Sequence, residues 1–255
     1  MNTVYIGYDP KEDTAYEVLK FTIERISGKN APRIVPLKKD ILEHIGMYTR
    51  KSQIIQGQPY DVIDGRPFST EFSFSRFLVP ALNMYQGKAL FMDSDMYIRA
   101  DINELFELCD LDYYALWCVH HKYEPEKSMK MDGKEQHPYR RKNWSSLMMF
   151  NCEHQDNLKL TPEVINTETG RWLHGFGWLP DKEADIGRIP EEWNWLDGHS
   201  DPELEAKNVH FTTGGPWFNQ WSPRGAVESK YAVEWSNDAQ WLQLKGHIQT
   251  EDYMI

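Results

Sequence analysis

The stretch that most constrains the chain is Lys88-Ala89-Leu90-Phe91-Met92-Asp93-Ser94-Asp95-Met96-Tyr97-Ile98. An apolar run with the length and composition of a strand closes on two carboxylates at i and i+2, positions that share one side of an extended chain. Two acids on one side can share a cation. Carboxylate oxygens are hard ligands suited to Mg²⁺ or Mn²⁺, and a protein supplying only a few of them leaves coordination positions for the oxygens of a diphosphate. Spacing alone decides little, because Asp110-Leu111-Asp112 repeats it after a predicted helix and reads as a solvated turn. Without context, Asp93 and Asp95 are equally readable as acids closing a strand.

The rest of the chain supplies that context. Thr3 to Pro10 reads as a first strand ending in a turn, and Asp13 or Thr14 caps a helix carrying Val18, Leu19, Ile23 and Ile26. A second strand runs from Arg33 to Leu37. A polar stretch through Arg50, Lys51 and Arg66 follows without a firm assignment, closed by a turn at Asp64-Gly65. Residues 71–82 set Phe74, Phe77, Leu78 and Ala81 on one helical stripe with Arg76 beside it. A guanidinium there either grips a phosphate bidentately or forms a surface ion pair. Asp101-Ile102-Asn103-Glu104 has the form of a capping box opening a helix through Leu108. Tyr113 to Val119 and Ser146 to Asn151 read as further strands, Thr161-Pro162-Glu163 as a helix start, and 228–244 as a helix anchored by Tyr231, Trp235 and Leu242. This alternation predicts an α/β fold with a mixed, mainly parallel central sheet and ligands beyond the C-terminal strand ends.

Three later segments carry chemistry. Residues 120–142 form a long polar loop rich in Lys and Arg, including Arg141 and Lys142, with the length of a lid. Trp172 to Trp195 is dense in aromatics and acids, and an acceptor pocket with Trp172, His174 and Trp178 is expected there. Val209-His210-Phe211 is a short strand feeding Thr212-Thr213-Gly214-Gly215-Pro216-Trp217, where Gly214 and Gly215 let backbone N–H groups approach a ligand. His210 is either a third metal ligand or a packed imidazole.

A length of 255 residues fits one domain, and the formal charge, 28 minus 39 or −11 with the basic residues scattered, argues against a nucleic-acid partner. Cys109, Cys118 and Cys152 are odd in number and lack C-x-x-C spacing, which fits a reducing cytoplasm better than a disulfide framework or zinc site. No apolar run approaches the ~20 residues that cross a bilayer, and neither a signal segment nor a transmembrane span is expected. Ten Trp and thirteen Tyr serve core packing one by one, and as a group they also suit sugar faces.

With Phe74-Ser75-Arg76-Phe77-Leu78-Val79-Pro80, then Leu90-Phe91-Met92-Asp93-Ser94-Asp95, then His210-Phe211 and Pro216-Trp217, the chain resembles the retaining glycosyltransferases of family 8, the group that includes glycogenin. Ile6-Gly7-Tyr8-Asp9-Pro10, residues 141–146 and Trp193-Asn194-Trp195 look like a less studied, mostly bacterial branch of such proteins. The resemblance implies a Rossmann-like GT-A fold in one domain, residues 1–255. Residues 1–119 would form the nucleotide-sugar half, and 120–255 the acceptor half with the metal-binding His turn. It implies a hexose donor that is a nucleotide diphosphate sugar, UDP by family habit, a carbohydrate or other hydroxyl acceptor, and retention at the anomeric carbon. Asp93, Asp95 and His210 would hold Mn²⁺ or Mg²⁺, and Tyr8, Asp9, Arg76, Asp93, Ser94, Gly214 and Gly215 would line the donor. The family's diphosphate Lys has no counterpart in the shortened Gly turn, so Arg141 or Lys142 is its expected substitute. Trp144-Ser145-Ser146 replaces the family's Asn-x-Gly. Asp181 is the expected acid at the anomeric centre, with Glu183 and Asp185 as rivals. The competing readings are a sugar-phosphate nucleotidyltransferase and a carbohydrate-binding protein with a structural metal.

Overall fold

Alternation along the buried strands sorts their side chains into two cores. Val4 and Ile6 pack with Leu90, Met92, Leu147 and Met149 on one face, while Tyr5 packs with Phe91, Met148 and Phe150 on the other. A computed structural model describes residues 1–110, 113–122, 141, 143–180, 186–218 and 229–248. Its strands are β1 (Thr3–Gly7), β2 (Arg33–Leu37), β3 (Ser52–Ile55), β4 (Gln58–Asp61), β5 (Lys88–Met92), β6 (Met96–Ile98), β7 (Leu116–Cys118), β8 (Leu147–Asn151), β9 (Ile186–Arg188), β10 (Trp195–Leu196) and β11 (Asn208–His210). The helices are α1 (Asp13–Ser27), α2 (Lys39–His44), α3 (Val79–Leu82), α4 (Asn103–Leu108), α5 (Pro162–Thr167), α6 (Gly170–His174) and α7 (Ala232–Leu244).

Among the described residues, six strands form the main sheet in the order β2-β1-β5-β8-β7-β9. It is mixed and mainly parallel: β1 runs parallel to β2 and β5, β7 runs parallel to β9, and β8 is antiparallel to β5 and β7. The expected architecture is therefore the one adopted. A smaller sheet, β10-β11-β6, packs with α1 and α7 around Tyr97, Val209, Phe211, Tyr231 and Trp235. Tyr231, Trp235 and Leu242, the expected anchors of the last helix, are all buried. No described helix is long and apolar enough to cross a membrane. All three cysteines are free and buried.

Four local expectations are corrected. Strand β5 ends at Met92, just before the acids as expected, but Asp93-Ser94-Asp95 is not extended: it is the turn into β6, which belongs to the other sheet. The helix expected over 71–82 is a 3-10 turn at Ser75–Leu78 followed by α3, because Pro80 brings no N–H to an α-helical bond back to Arg76. Helix α1 starts at Asp13, but the capping carboxylate is Asp9, which accepts from the Lys11 N–H of the preceding turn. Asp101 does accept from the Asn103 N–H, yet Glu104 pairs with Lys207 at 2.6 Å instead of reaching back, so no capping box forms.

The stretch without a firm assignment becomes α2 and the β3-β4 hairpin, and one buried ion pair holds it. Arg50 meets both Asp61 oxygens, Nε–Oδ1 at 2.9 Å and Nη2–Oδ2 at 2.7 Å, and its Nη1 donates to the carbonyls of Ile165 and Glu168. Its guanidinium also lies 4.1 Å from the centre of the Phe74 ring. Both side chains are at most 1% exposed. Arg50→Ala strands Asp61 as an unpaired buried charge, and an unfolding free energy lower by about 3–5 kcal/mol in urea titrations is expected. A loss below about 1 kcal/mol would show that the pair is not needed to hold the hairpin.

Candidate metal and donor site

The C-terminal ends of β1, β2 and β5 lie together because these strands are parallel, and they deliver Asp9, Lys38 and Asp93 to one edge of the sheet. Strand β11 runs antiparallel to β6 with His210 opposite Met96, and Phe211 N–H donates to the Asp95 carbonyl at 2.9 Å. This pairing sets the end of β11 beside the start of β6. The chain-distant imidazole and the two acids therefore meet where the two sheets meet.

One ligand atom from each of Asp93, Asp95 and His210 lies within 4.8 Å of the others. His210 Nε2 is 3.3 Å from Asp95 Oδ1, and Arg76 Nη1 is 2.9 Å from Asp93 Oδ1. Both of these oxygens are buried, and neither receives a well-aimed hydrogen bond. They have charge beside them but no aligned donor, and an ion is one way such buried oxygens are satisfied. Two hard oxygens and one imidazole nitrogen match the donor set of a divalent cation such as Mn²⁺ or Mg²⁺.

The electrostatics follow from crowding. Burial raises the Asp93 carboxyl to about 7, with Asp95 adding to the effect and Arg76 opposing it. Burial alone would depress His210, but the carboxylates of Asp95 and Asp93 outweigh it and its pKa is raised. Glu12, in the turn before α1, accepts from the Ser94 hydroxyl at 3.0 Å. Burial first, then the Asp95 charge, pushes its carboxyl up to about 8.

Arg76 is a buried ion-pair partner of Asp93, 6% exposed, packed over Phe72 and Phe91 and donating to the Ser145 carbonyl at 2.8 Å. Tyr8 donates its hydroxyl to Asp13, and both Asp9 oxygens accept backbone N–H groups, from Lys11 and Glu71. Asp9 opens onto a cleft also lined by Lys11, Lys39 and Glu71. Gly214 has φ +104°, and a Cβ on Gly215 would sit 2.1 Å from the Trp217 ring, so the turn after β11 needs both glycines.

The expected acceptor residues form a packed group. Trp178 is buried with its indole N–H on Asn157, Trp172 is half-buried beside it, and His174 Nδ1 is 2.9 Å from the Ser145 hydroxyl. Burial and the Arg76 charge push His174 down to about 3, so it is neutral. Arg141 is buried against Trp144 and Phe176 and donates to the Gly175 carbonyl. Lys142, Asp181, Glu183 and Asp185 lie outside the described residues.

Sequence reasoning missed Glu12, His121 and the linking role of Asn194. His121 follows β7, at the same sheet edge, and its Nε2 is buried without a hydrogen-bond partner; burial and the nearby His210 push its pKa to about 4. Its place beyond a strand end was the available signal. Glu12 had none, since its partner Ser94 is far along the chain.

No family model matches the chain. Protein CDI of Arabidopsis thaliana is 44% identical over 240 residues, 92% of this chain and 85% of that protein. Among solved structures, the galactosyltransferase LgtC in complex with donor and acceptor sugar analogs superposes with a TM-score of 0.58 at 11% identity, over 96% of this chain and 100% of that one. Apo GlyE of Streptococcus pneumoniae TIGR4 gives 0.55 at 15% identity, over 96% of this chain and 64% of that one. The bifunctional WbbM gives 0.54 at 15%, over 93% and 51%. The chain thus spans about half of WbbM and under two thirds of GlyE. At these identities the likeness is one of fold, and the fold is that of GT-A glycosyltransferases.

The raised carboxyl values carry a sign. A folded-state pKa above the unfolded one means that the folded protein holds a proton the unfolded chain has released. The associated stability is complete below the ordinary carboxylate range and is lost as pH rises through about 7 for Asp93 and about 8 for Glu12. In chelator, denaturant titrations are expected to show stability falling from about pH 4 to about pH 8 and levelling off above that, with a flatter profile in Glu12→Gln. A profile unchanged by that substitution would remove Glu12 from the coupled group.

Proposed function

We propose that this chain, which belongs to the same family as Protein CDI of Arabidopsis thaliana, transfers a hexose from a nucleotide diphosphate sugar, UDP-linked, to a carbohydrate or other hydroxyl acceptor with retention at the anomeric carbon. The observation that carries this reading is the convergence of Asp93, Asp95 and His210 at the C-terminal edge of a glycosyltransferase-type sheet. Mn²⁺ or Mg²⁺ held there would neutralise the charge that grows on the diphosphate as the glycosyl bond breaks. The chain's own residues prepare that position. Arg76 fixes the Asp93 carboxylate, so its charge serves the site through Asp93. Asp9 holds the loop at Glu71 against the end of β1, and Lys11 and Lys39 give the adjoining cleft a cationic wall for the nucleotide. Tyr8, Ser94 and the Gly214-Gly215 turn complete the donor side.

Arg141 or Lys142 is the proposed cation toward the diphosphate, and Asp181 the acid at the anomeric centre, with Glu183 and Asp185 as rivals. The group around Trp172, His174 and Trp178 is the proposed acceptor side, reached from the donor side through Ser145, which meets both Arg76 and His174. Residues 1–255 act as one domain in this reading, and a reducing cytoplasm suits its three free thiols.

A screen of nucleotide sugars should detect slow hydrolysis that needs Mn²⁺ or Mg²⁺ and stops in chelator. Asp95→Asn should lower the rate at least about 100-fold. Release of nucleoside diphosphate at the same rate in chelator would contradict the proposal, and sugar binding without any nucleotide requirement would favour a lectin.

A further inference from the structure

Asn194 ends a 3-10 turn (Glu191–Asn194), is fully buried, and touches three groups. Its Oδ1 is 2.9 Å from His210 Nδ1, and its Nδ2 is 2.9 Å from Ser146 Oγ and 3.4 Å from the Asn143 carbonyl. The orientation of this amide follows from its neighbours. The Asn143 carbonyl can only accept, and it already receives the Ser146 hydroxyl proton at 2.7 Å. Ser146 Oγ therefore faces Asn194 as an acceptor, and the group opposite must be the NH₂. That leaves Oδ1 facing the imidazole, and an amide oxygen can only accept. The proton of His210 then sits on Nδ1.

We propose that Asn194 is a positioning residue for the cation site: it holds His210 in the Nδ1–H tautomer and aims the Nε2 lone pair at Asp93 and Asp95. In that tautomer a neutral His210 sets a lone pair 3.3 Å from Asp95 Oδ1, an arrangement of two acceptors that only a proton or a cation between them relieves. Metal-binding imidazoles commonly donate their other N–H in this way, fixing ring orientation and raising ligand basicity. A second 3-10 turn, Trp144–Ser146, which receives the Asn194 NH₂ at Ser146, also supports the other arm. The Ser146 carbonyl accepts from Asp93 N–H at 2.9 Å, and the Ser145 carbonyl accepts from Arg76, the partner of Asp93. One short turn, entered through Asn143 at φ +64°, thus ties the imidazole to the first acid. This inference rests on the cation reading of the site, and its test separates the two.

Mn²⁺ affinity of the full chain is measured by calorimetry for wild type, Asn194→Ala and Asn194→Asp. The alanine variant, which removes the acceptor, is expected to bind about 10–100-fold more weakly. Asn194→Asp keeps an acceptor for Nδ1–H while losing both NH₂ contacts, and it should lose clearly less affinity than Asn194→Ala. Equal losses in the two variants would mean that Asn194 only holds the turn together, and the proposal falls. The ¹⁵N shifts of the His210 ring, read without metal at a pH where the ring is neutral, give a second measure. Wild type and Asn194→Asp should show the Nδ1–H form, and Asn194→Ala should move toward Nε2–H. An Nε2–H ring in wild type overturns the proposal even if Asn194→Ala fails to fold. Absence of any Mn²⁺ binding by wild type defeats the cation reading, while the ring shifts still decide the role of Asn194.

Discussion

Too many acids share too small a space at the edge of the main sheet, and most of the site is arranged around that imbalance. Asp93, Asp95 and Glu12 crowd together, and the groups that answer them are the Arg76 guanidinium and the buried imidazole of His210. In a low-dielectric setting like charges at such separations cannot all ionise unaided. Burial and mutual repulsion raise the carboxyls of Asp93 and Glu12, which favours a shared proton there. The proposed cation would replace that proton, and the diphosphate of a donor would complete its coordination.

The fold makes this crowding possible by letting two sheets share one turn. Strand β5 ends in the main sheet and β6 begins in the smaller one, so Asp93-Ser94-Asp95 lies on the seam. Antiparallel pairing of β6 with β11 returns His210 to that seam, and α1 and α7 bury the outer face of the smaller sheet. Arg50, Arg76 and Asn194 each tie distant segments together by side-chain contacts with backbone or with other buried polar groups. These ties hold the loops at the C-terminal strand ends, the edge at which open α/β sheets bind ligands.

Much of this was legible from the residues. The strands at Thr3, Arg33, Lys88 and Leu147 are continuous apolar runs, and the pair Asp93 and Asp95 was visible as acids ending such a run. The reason those acids converge was not, because they meet in a turn between sheets and not along one extended strand. The β3-β4 hairpin left no periodic signal: β3 is exposed throughout, and its support comes from Arg50 reaching Asp61 and the carbonyls of α5 and its neighbour. Glu12 and Asn194 escaped for a related reason. Glu12 acts through a hydrogen bond to Ser94 and Asn194 through contacts with Asn143, Ser146 and His210, and contacts between such separated residues impose no pattern on the sequence around them.

The most direct test of the central claim is anomalous diffraction at the manganese edge from crystals grown with Mn²⁺ and a nucleoside diphosphate. The expected result is a single strong peak bonded to Asp93, Asp95 and His210 Nε2, with diphosphate oxygens filling the remaining positions. A peak elsewhere, or one on the carboxylates with the imidazole turned away, would contradict it.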